Sequence, residues 1–239
     1  MMVNPFDGAV IHYLNHFARR SYALDAGVVL ATNYLLRAAG IVPLYWWAWF
    51  ADDPERDSKR SILVFGMLSS VLALLLSRLL AASLPFRYRP MYNAELHFQV
   101  PYGQNTNALV GWSSFPSDHA AVYFTLAICL CFVSRRLGIF ALGWALFVTC
   151  LPRVYLGLHY PTDILGGALL GLGVAALSKI SALRQSFTSR VMRWHEQYPG
   201  PFYAALFLFS LQLATAFESV LYVERYAAAV TKHAWHLLS

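Results

Sequence analysis

The sequence predicts an all-α, polytopic membrane helix bundle of about six transmembrane helices, and three observations lead there. Of its 239 residues, 58% are hydrophobic and 13% charged, far from the balance of a water-soluble domain. Several runs reach about 18 or more mostly apolar residues, the length that crosses a hydrocarbon core. The charged residues fall between these runs, which leaves too little polar sequence for a separate soluble domain. The chain therefore reads as a single domain over residues 1–239, with an N-terminal interfacial segment at 1–22 and a motif-bearing core at 60–180.

The net charge of +6 comes from 18 basic residues scattered among loops and span ends, with no single basic stripe. Anionic lipid and correct insertion account for that distribution, and nucleic acid does not. Cys129, Cys131 and Cys150 all lie within apolar runs and lack the paired spacing of a disulfide or zinc framework, so they read as packing residues.

Taken in order, Val10, Ile11, Leu14, Phe17 and Ala18 recur at helical spacing, which allows an amphipathic interfacial helix over residues 6–18 or a simple polar cap. Asp7, His12, Asn15 and His16 interrupt the apolar positions, and Arg19 and Arg20 follow them, so the segment does not resemble a secretory signal. The first span falls within residues 23–50, closed by the aromatic belt Trp46, Trp47 and Trp49. Arg37 interrupts it: either the arginine snorkels from a short span, or residues 23–36 form a separate interfacial piece. Residues 52–60 are a charged loop, 61–82 the second span, and 84–114 a long connection of the kind that usually carries function. The third span is 117–133, followed by a tight basic turn at 134–136 and a short fourth span at 137–151. The fifth, 162–180, carries Gly167 and Gly171 at the spacing that lets helices approach closely. A polar stretch at 184–201 precedes the last span, 202–223.

Under that count Arg56, Lys59 and Arg60, then Arg135 and Arg136, then Arg184, Arg190 and Arg193 share one face, which the positive-inside bias makes cytoplasmic. The opposite face holds the long loop, both termini, and three conspicuous cations: Arg87, Arg89 and Arg153.

Three stretches on that non-cytoplasmic face carry chemistry. Residues 153–163 read R-V-Y-L-G-L-H-Y-P-T-D; Pro161 suits the first turn of a helix, so His159 falls just before it and Asp163 within it. A carboxylate that reaches back to an imidazole fixes one ring nitrogen as donor and leaves the other as base or nucleophile, with Arg153 at hand to hold an anion. Residues 115–119 read F-P-S-D-H, which puts Ser117 and His119 in a first helical turn, where unpaired amides and a hydroxyl can cradle phosphate. Residues 85–90 read P-F-R-Y-R-P and add two guanidiniums. A metal held by the two histidines and the aspartate is the alternative reading; zinc ligands would not require arginines alongside. His12, His16, His97, His195, His233 and His236 show no partner pattern.

Together these stretches resemble the three signature motifs of the phosphatidic acid phosphatase type 2 superfamily, K-x6-R-P, P-S-x-H and S-R-x5-H-x3-D. Arg89 and Pro90 match the first, Pro116, Ser117 and His119 the second, and Arg153, His159 and Asp163 the third. Two positions depart: the family lysine falls on Ala82, and the serine before Arg153 is Pro152. Arg87 or Arg78 is the candidate to replace the lysine, and Arg87 is preferred because Pro90 favours an extended strand that points Arg87 and Arg89 the same way.

The resemblance implies a membrane-embedded lipid phosphatase without a cofactor or metal. Its site residues are then catalytic His159, His119 and Asp163, with Arg89, Arg153, Ser117 and Arg87 binding phosphate. His159 attacks phosphorus, Asp163 orients it, and His119 protonates the leaving oxygen. The implied substrate is a lipid phosphate or diphosphate, such as undecaprenyl diphosphate, phosphatidylglycerol phosphate or phosphatidic acid. The implied location is a bacterial plasma membrane with the site facing the periplasm or exterior. A phosphotransferase using the same site, a catalytically weakened lipid-binding or transport protein, and a vanadate-dependent peroxidase are the competing readings, the last having no use for six spans. Head-group selection is expected within residues 91–114.

Overall fold

A computed structural model describes residues 3–214, and every regular element among them is helical. The end of the last expected span, residues 215–223, lies outside the described residues, as do His233 and His236. Helix α1 (Pro5–Asn15) starts on the Asn4 side chain, which accepts from the Phe6 amide at 2.9 Å. It is no detached interfacial helix: Asp7 and Ile11 are buried, and Ile11 packs with Leu96, Val154, Tyr160 and Ile164.

The stretch expected as one span is broken into α2 (Tyr22–Ala31), α3 (Tyr34–Ala39) and α4 (Val42–Phe50), with a bend of 62° after α2. Local hydrogen bonds make the break. Thr32 Oγ1 returns to the Val29 carbonyl at 2.7 Å, and the Asn33 side chain caps α3 by accepting from the Leu35 amide at 2.9 Å. Arg37 does not snorkel to an interface; it is 3% exposed, and its carbonyl accepts from the Trp144 indole.

Helix α5 (Arg56–Ser83) is a continuous rod of about 42 Å at 1.5 Å per residue. After the long loop come α6 (Asp118–Val133), α7 (Arg135–Trp144) and α8 (Leu151–Tyr155). The expected basic turn shrinks to Ser134 alone, and both arginines begin α7. Residues Ala145–Cys150 between α7 and α8 are wound as a π-helix just ahead of Pro152, whose missing N–H interrupts the regular ladder. The fourth span thus runs from Arg135 to Tyr155. Helix α9 (Pro161–Ala176) follows, then the polar α10 (Ser181–Gln197) and the apolar α11 (Pro199–Ala214).

By length and composition, Arg56–Ser83, Arg135–Tyr155 and Pro161–Lys179 are each able to cross a membrane, and the bent pair Tyr22–Ala31 with Tyr34–Phe50 makes a fourth crossing if it counts as one. Asp118–Val133 and Pro199–Leu213 are shorter apolar helices. Helix α6 lies at the centre, packed against α5, α7 and α9. Cys129 and Cys150 are buried and Cys131 half-buried, all three as thiols.

The α6–α9 contact is the tightest feature that bears on the site. A Cβ at Gly167 would stand 2.3 Å from the Ser117 carbonyl oxygen, and one at Gly171 would stand 2.7 Å from the Ala121 carbonyl oxygen. Both obstacles are helix backbone, so neither position admits a side chain without separating the helices. At Gly173 nothing lies within 4 Å. Gly167→Ala is therefore expected to lower the melting temperature in detergent, at a cost of about 1–3 kcal/mol for overpacking. Gly173→Ala is expected to be neutral or slightly stabilising, and equal melting curves for the two variants would contradict this packing.

Candidate active site

The helices alternate so that α5 and α8 end, and α6 and α9 begin, at one end of the bundle. The motif residues sit at these four junctions. Two backbone-level ties fix the junctions to each other: the Ser117 amide donates to the Asp163 carbonyl at 3.0 Å, and the Met91 amide donates to the Gly157 carbonyl at 3.0 Å.

His159 is 2% exposed in the loop before α9. Its Nδ1 lies 2.9 Å from the Ser114 carbonyl oxygen, which can only accept, so Nδ1 carries the proton and Nε2 keeps its lone pair. Asp163, expected to orient the ring by a direct hydrogen bond, stands 3.6 Å from Nδ1, an ion-pair distance. Its carboxylate is engaged elsewhere: Oδ2 accepts from the Tyr160 amide at 2.7 Å, closing back on the start of α9, and Oδ1 accepts from Arg87 at 2.5 Å. The serine carbonyl orients the ring, and the aspartate supplies charge behind it. Burial pushes the His159 pKa down to about 4; the Asp163 carboxylate opposes this, and the Arg89 and Arg153 charges add to it.

Arg89 is 5% exposed. Its guanidinium donates to the Leu158 carbonyl at 2.6 Å and the Ser113 carbonyl at 3.2 Å, and one nitrogen lies 3.4 Å from His159 Nε2. Its Nε is buried with no hydrogen-bond partner among the described residues. Arg153 is buried in the last turn of α8, and its carbonyl accepts from the Leu158 amide at 2.9 Å and the His159 amide at 3.3 Å. It therefore shapes the histidine's loop through its backbone as well as bearing on the ring through its charge.

At the start of α6, Ser117 is fully buried and its hydroxyl caps the helix by accepting from the Ala120 amide. Asp118 takes both the His119 amide and His119 Nδ1 at 2.8 Å. The amides expected to cradle phosphate are thus partly occupied by the helix's own side chains. Asp118 fixes the His119 ring by accepting from Nδ1–H, which makes Nε2 the edge through which the ring can exchange a proton.

An open cleft of about 430 Å³ borders His159. Arg89, Pro116 and Asp118 line it from the motifs, Arg78 and Ala82 from α5, and Trp112 and Ser113 from the long loop. Arg87 is absent from this lining. It was expected to point with Arg89, but it turns to the far side of Asp163, because two buried carboxylates and the face of the Tyr160 ring, 4.1 Å away, capture it there. Arg78, the less favoured candidate, borders the cleft and lies 3.9 Å from Asp118. Among the described residues no three His, Cys, Asp or Glu side chains are grouped to hold a metal.

Sequence reasoning missed Ser114, whose contribution is a carbonyl that no motif marks. It also missed Asp118, which stands at the variable position of a motif, and Asp7, which left a trace as a carboxylate among apolar helical positions.

The PAP2 superfamily model matches residues 59–187. Undecaprenyl-diphosphatase BcrC of Bacillus subtilis (strain 168) is 26% identical over 191 residues, spanning 78% of this chain and 88% of that protein. Lipid A 4'-phosphatase of Bacteroides thetaiotaomicron is 52% identical over a shorter stretch of 64 residues, 26% of this chain and 28% of that protein. Among solved structures, a transmembrane PAP2 type phosphatidylglycerolphosphate phosphatase from Bacillus subtilis is 27% identical, covers 74% of this chain and 77% of its own, and superposes with a TM-score of 0.35.

The depressed pKa of His159 has a sign that can be checked. Below the ordinary value of about 6.5 the unfolded chain takes up a proton that the folded site refuses, so this residue withdraws stability as pH falls from there towards about 4. Nitrogen-15 spectra of histidine-labelled protein in micelles should show His159 neutral, with the proton on Nδ1, at every pH above about 5. A ring doubly protonated at pH 6 would contradict the assignment.

Proposed function

The chain belongs to the PAP2 superfamily, and on that premise we propose that it hydrolyses a membrane lipid phosphate or diphosphate through a phosphohistidine at His159, without a metal. The observation that carries this reading is the locked imidazole: Nδ1–H is held by a carbonyl, and Nε2 is presented beside Arg89 at a cleft. In the first step the Nε2 lone pair attacks phosphorus and the bond from phosphorus to the leaving oxygen breaks. His119 gives its proton to that oxygen. In the second step water attacks phosphorus, the P–N bond breaks with its electron pair returning to Nε2, and the water's proton passes to His119. Asp163 stabilises the positive ring between the steps, and Arg89 and Arg153 neutralise the equatorial oxygens.

Arg78 takes the place of the missing family lysine. It lies one helical turn before Ala82 on the same face of α5, both residues border the cleft, and its Nε is buried without a hydrogen-bond partner among the described residues. The site faces the periplasm or cell exterior. In support, Arg56 to Arg60, Arg135 with Arg136, and Arg184 to Arg193 follow or precede the helix ends remote from the cleft, where the positive-inside bias wants them. Undecaprenyl diphosphate is the preferred substrate, since a relative that spans 78% of this chain is named for it.

Phosphate release by detergent-purified protein tests this directly, with undecaprenyl diphosphate, phosphatidylglycerol phosphate and phosphatidic acid offered in the presence of EDTA. Release is expected to persist in EDTA and to be blocked by vanadate, which adopts the transition-state geometry. Activity lost to chelator and restored by a divalent cation would sink the metal-free mechanism; transfer to an alcohol with no free phosphate would make the protein a phosphotransferase. His159→Ala and His119→Ala should each lose about a hundredfold or more. Arg78→Ala should lose about 10- to 100-fold, comparable to Arg89→Ala, as expected for a charge-assisted hydrogen bond. Near-normal turnover of Arg78→Ala would remove it from the phosphate site.

A further inference from the structure

We propose that Asp7 is a positioning residue for Asp163, which makes the N-terminal helix α1 a working part of the active site. This rests on the reading of His159 and Asp163 given above. Asp7 lies far outside residues 59–187, and its side chain is fully buried. One carboxylate oxygen accepts from the Thr162 amide at 3.0 Å; the other accepts from the Thr162 hydroxyl at 2.6 Å and from Arg87 at 2.7 Å.

Each contact bears on the start of α9. Pro161 has no N–H to offer there, so the Thr162 amide is a first-turn donor with no partner inside its own helix, and a carboxylate from another helix caps it. Arg87 closes the ring by donating to Asp163 at 2.5 Å and to the Thr162 hydroxyl at 2.9 Å. One guanidinium is therefore shared between two buried carboxylates. Asp7 holds one of its terminal nitrogens, which leaves Asp163 a single contact through Oδ1 and keeps Oδ2 turned to the Tyr160 amide and His159. Without Asp7, Arg87 is at liberty to take both oxygens of Asp163 in the fork geometry it prefers, and that would draw negative charge away from the imidazole.

The helix that carries Asp7 is fixed at its other end as well. The Asn15 amide group donates to the Gln99 carbonyl at 2.7 Å and accepts from the Gln99 amide at 2.8 Å. Helix α1 is thus tied to the long loop and to α9 at once, and the loop in turn supplies Ser114 and Arg89 to His159.

The test is steady-state kinetics on the full chain in detergent with undecaprenyl diphosphate, accompanied by melting curves. Asp7→Asn keeps an acceptor for the Thr162 amide but loses the charge that competes for Arg87. It is expected to lower kcat about tenfold while KM stays within about twofold, and Asp7→Glu should restore at least half of the lost rate. In a double-mutant cycle, adding Asp7→Asn to Arg87→Met should cost nothing further, since the effect travels through the arginine. Wild-type kcat in Asp7→Asn, equal impairment of the Asn and Glu variants, or fully additive losses in the cycle would each overturn the proposal. If Asp7→Asn fails to fold, Thr162→Val removes one of the three donors and leaves the carboxylate; it should reduce kcat a few-fold, and unchanged kcat would count against the idea. Failure of the underlying mechanism would show separately, as wild-type turnover by His159→Ala.

Discussion

The close approach of α6 and α9 is the constraint on which the site depends. Two helix backbones meet where Gly167 and Gly171 leave no side chain, and the contact begins at the first turns of both helices. Ser117 N–H on the Asp163 carbonyl then sets the two N-termini at one level. Because Ser117 and Asp118 lead into His119 on one helix, and His159 precedes Asp163 on the other, a fixed helix pair fixes two of the three motifs relative to each other. The end of α5 and the loop after it add the third, through Arg89 on the Leu158 carbonyl and the Ser114 carbonyl on His159.

An apolar bundle is a poor solvent for charge, so the ionised groups at this end are matched to one another or face the cleft. Arg87 lies between Asp7 and Asp163, and Asp118 joins His119 and Arg78. His159 itself is kept neutral by burial, which suits a nucleophile: its lone pair is available at pH values above about 5. Arg89 and Arg78 border the cleft, and they are the cations that an incoming phosphate would meet. Chemistry and stability pull in the same direction here, since a bound anion would supply an acceptor to Arg89 and Arg78, whose buried Nε groups have no hydrogen-bond partner among the described residues.

Much of this was legible in the sequence. Apolar runs gave the helical class, because a membrane solvent leaves few alternatives for backbone hydrogen bonds. The resemblance to the family motifs singled out His119, His159, Asp163, Arg89 and Arg153 as candidates, and of these His119 and Asp163 lie in first helical turns, with His159 just ahead of one. The break after α2 was less legible, because Thr32 and Asn33 are compatible with either a kinked or a continuous helix until their side-chain hydrogen bonds are seen. The choice between Arg87 and Arg78 turned on partners distant in sequence. An extended backbone at 87–89 did suggest that the two arginines would point together, but Asp7, 80 residues away, decides where Arg87 goes. Backbone groups such as the Ser114 carbonyl carry no residue signature, so contributions of that kind are invisible to pattern reading.

The central claim is that His159 Nε2 becomes bonded to phosphorus. Rapid acid-free quenching with phosphorus-32-labelled undecaprenyl diphosphate tests it most directly, in a His119→Ala background. The leaving phosphate is weakly basic and departs with little need of a proton, whereas attack by water needs a base, so loss of His119 slows the second step more than the first. The account predicts label on the protein that is stable to base and labile to acid, as a phosphoramidate is, and that maps to the peptide containing His159. Label on any other residue, or turnover in the parent protein with no labelled intermediate in either form, would contradict it.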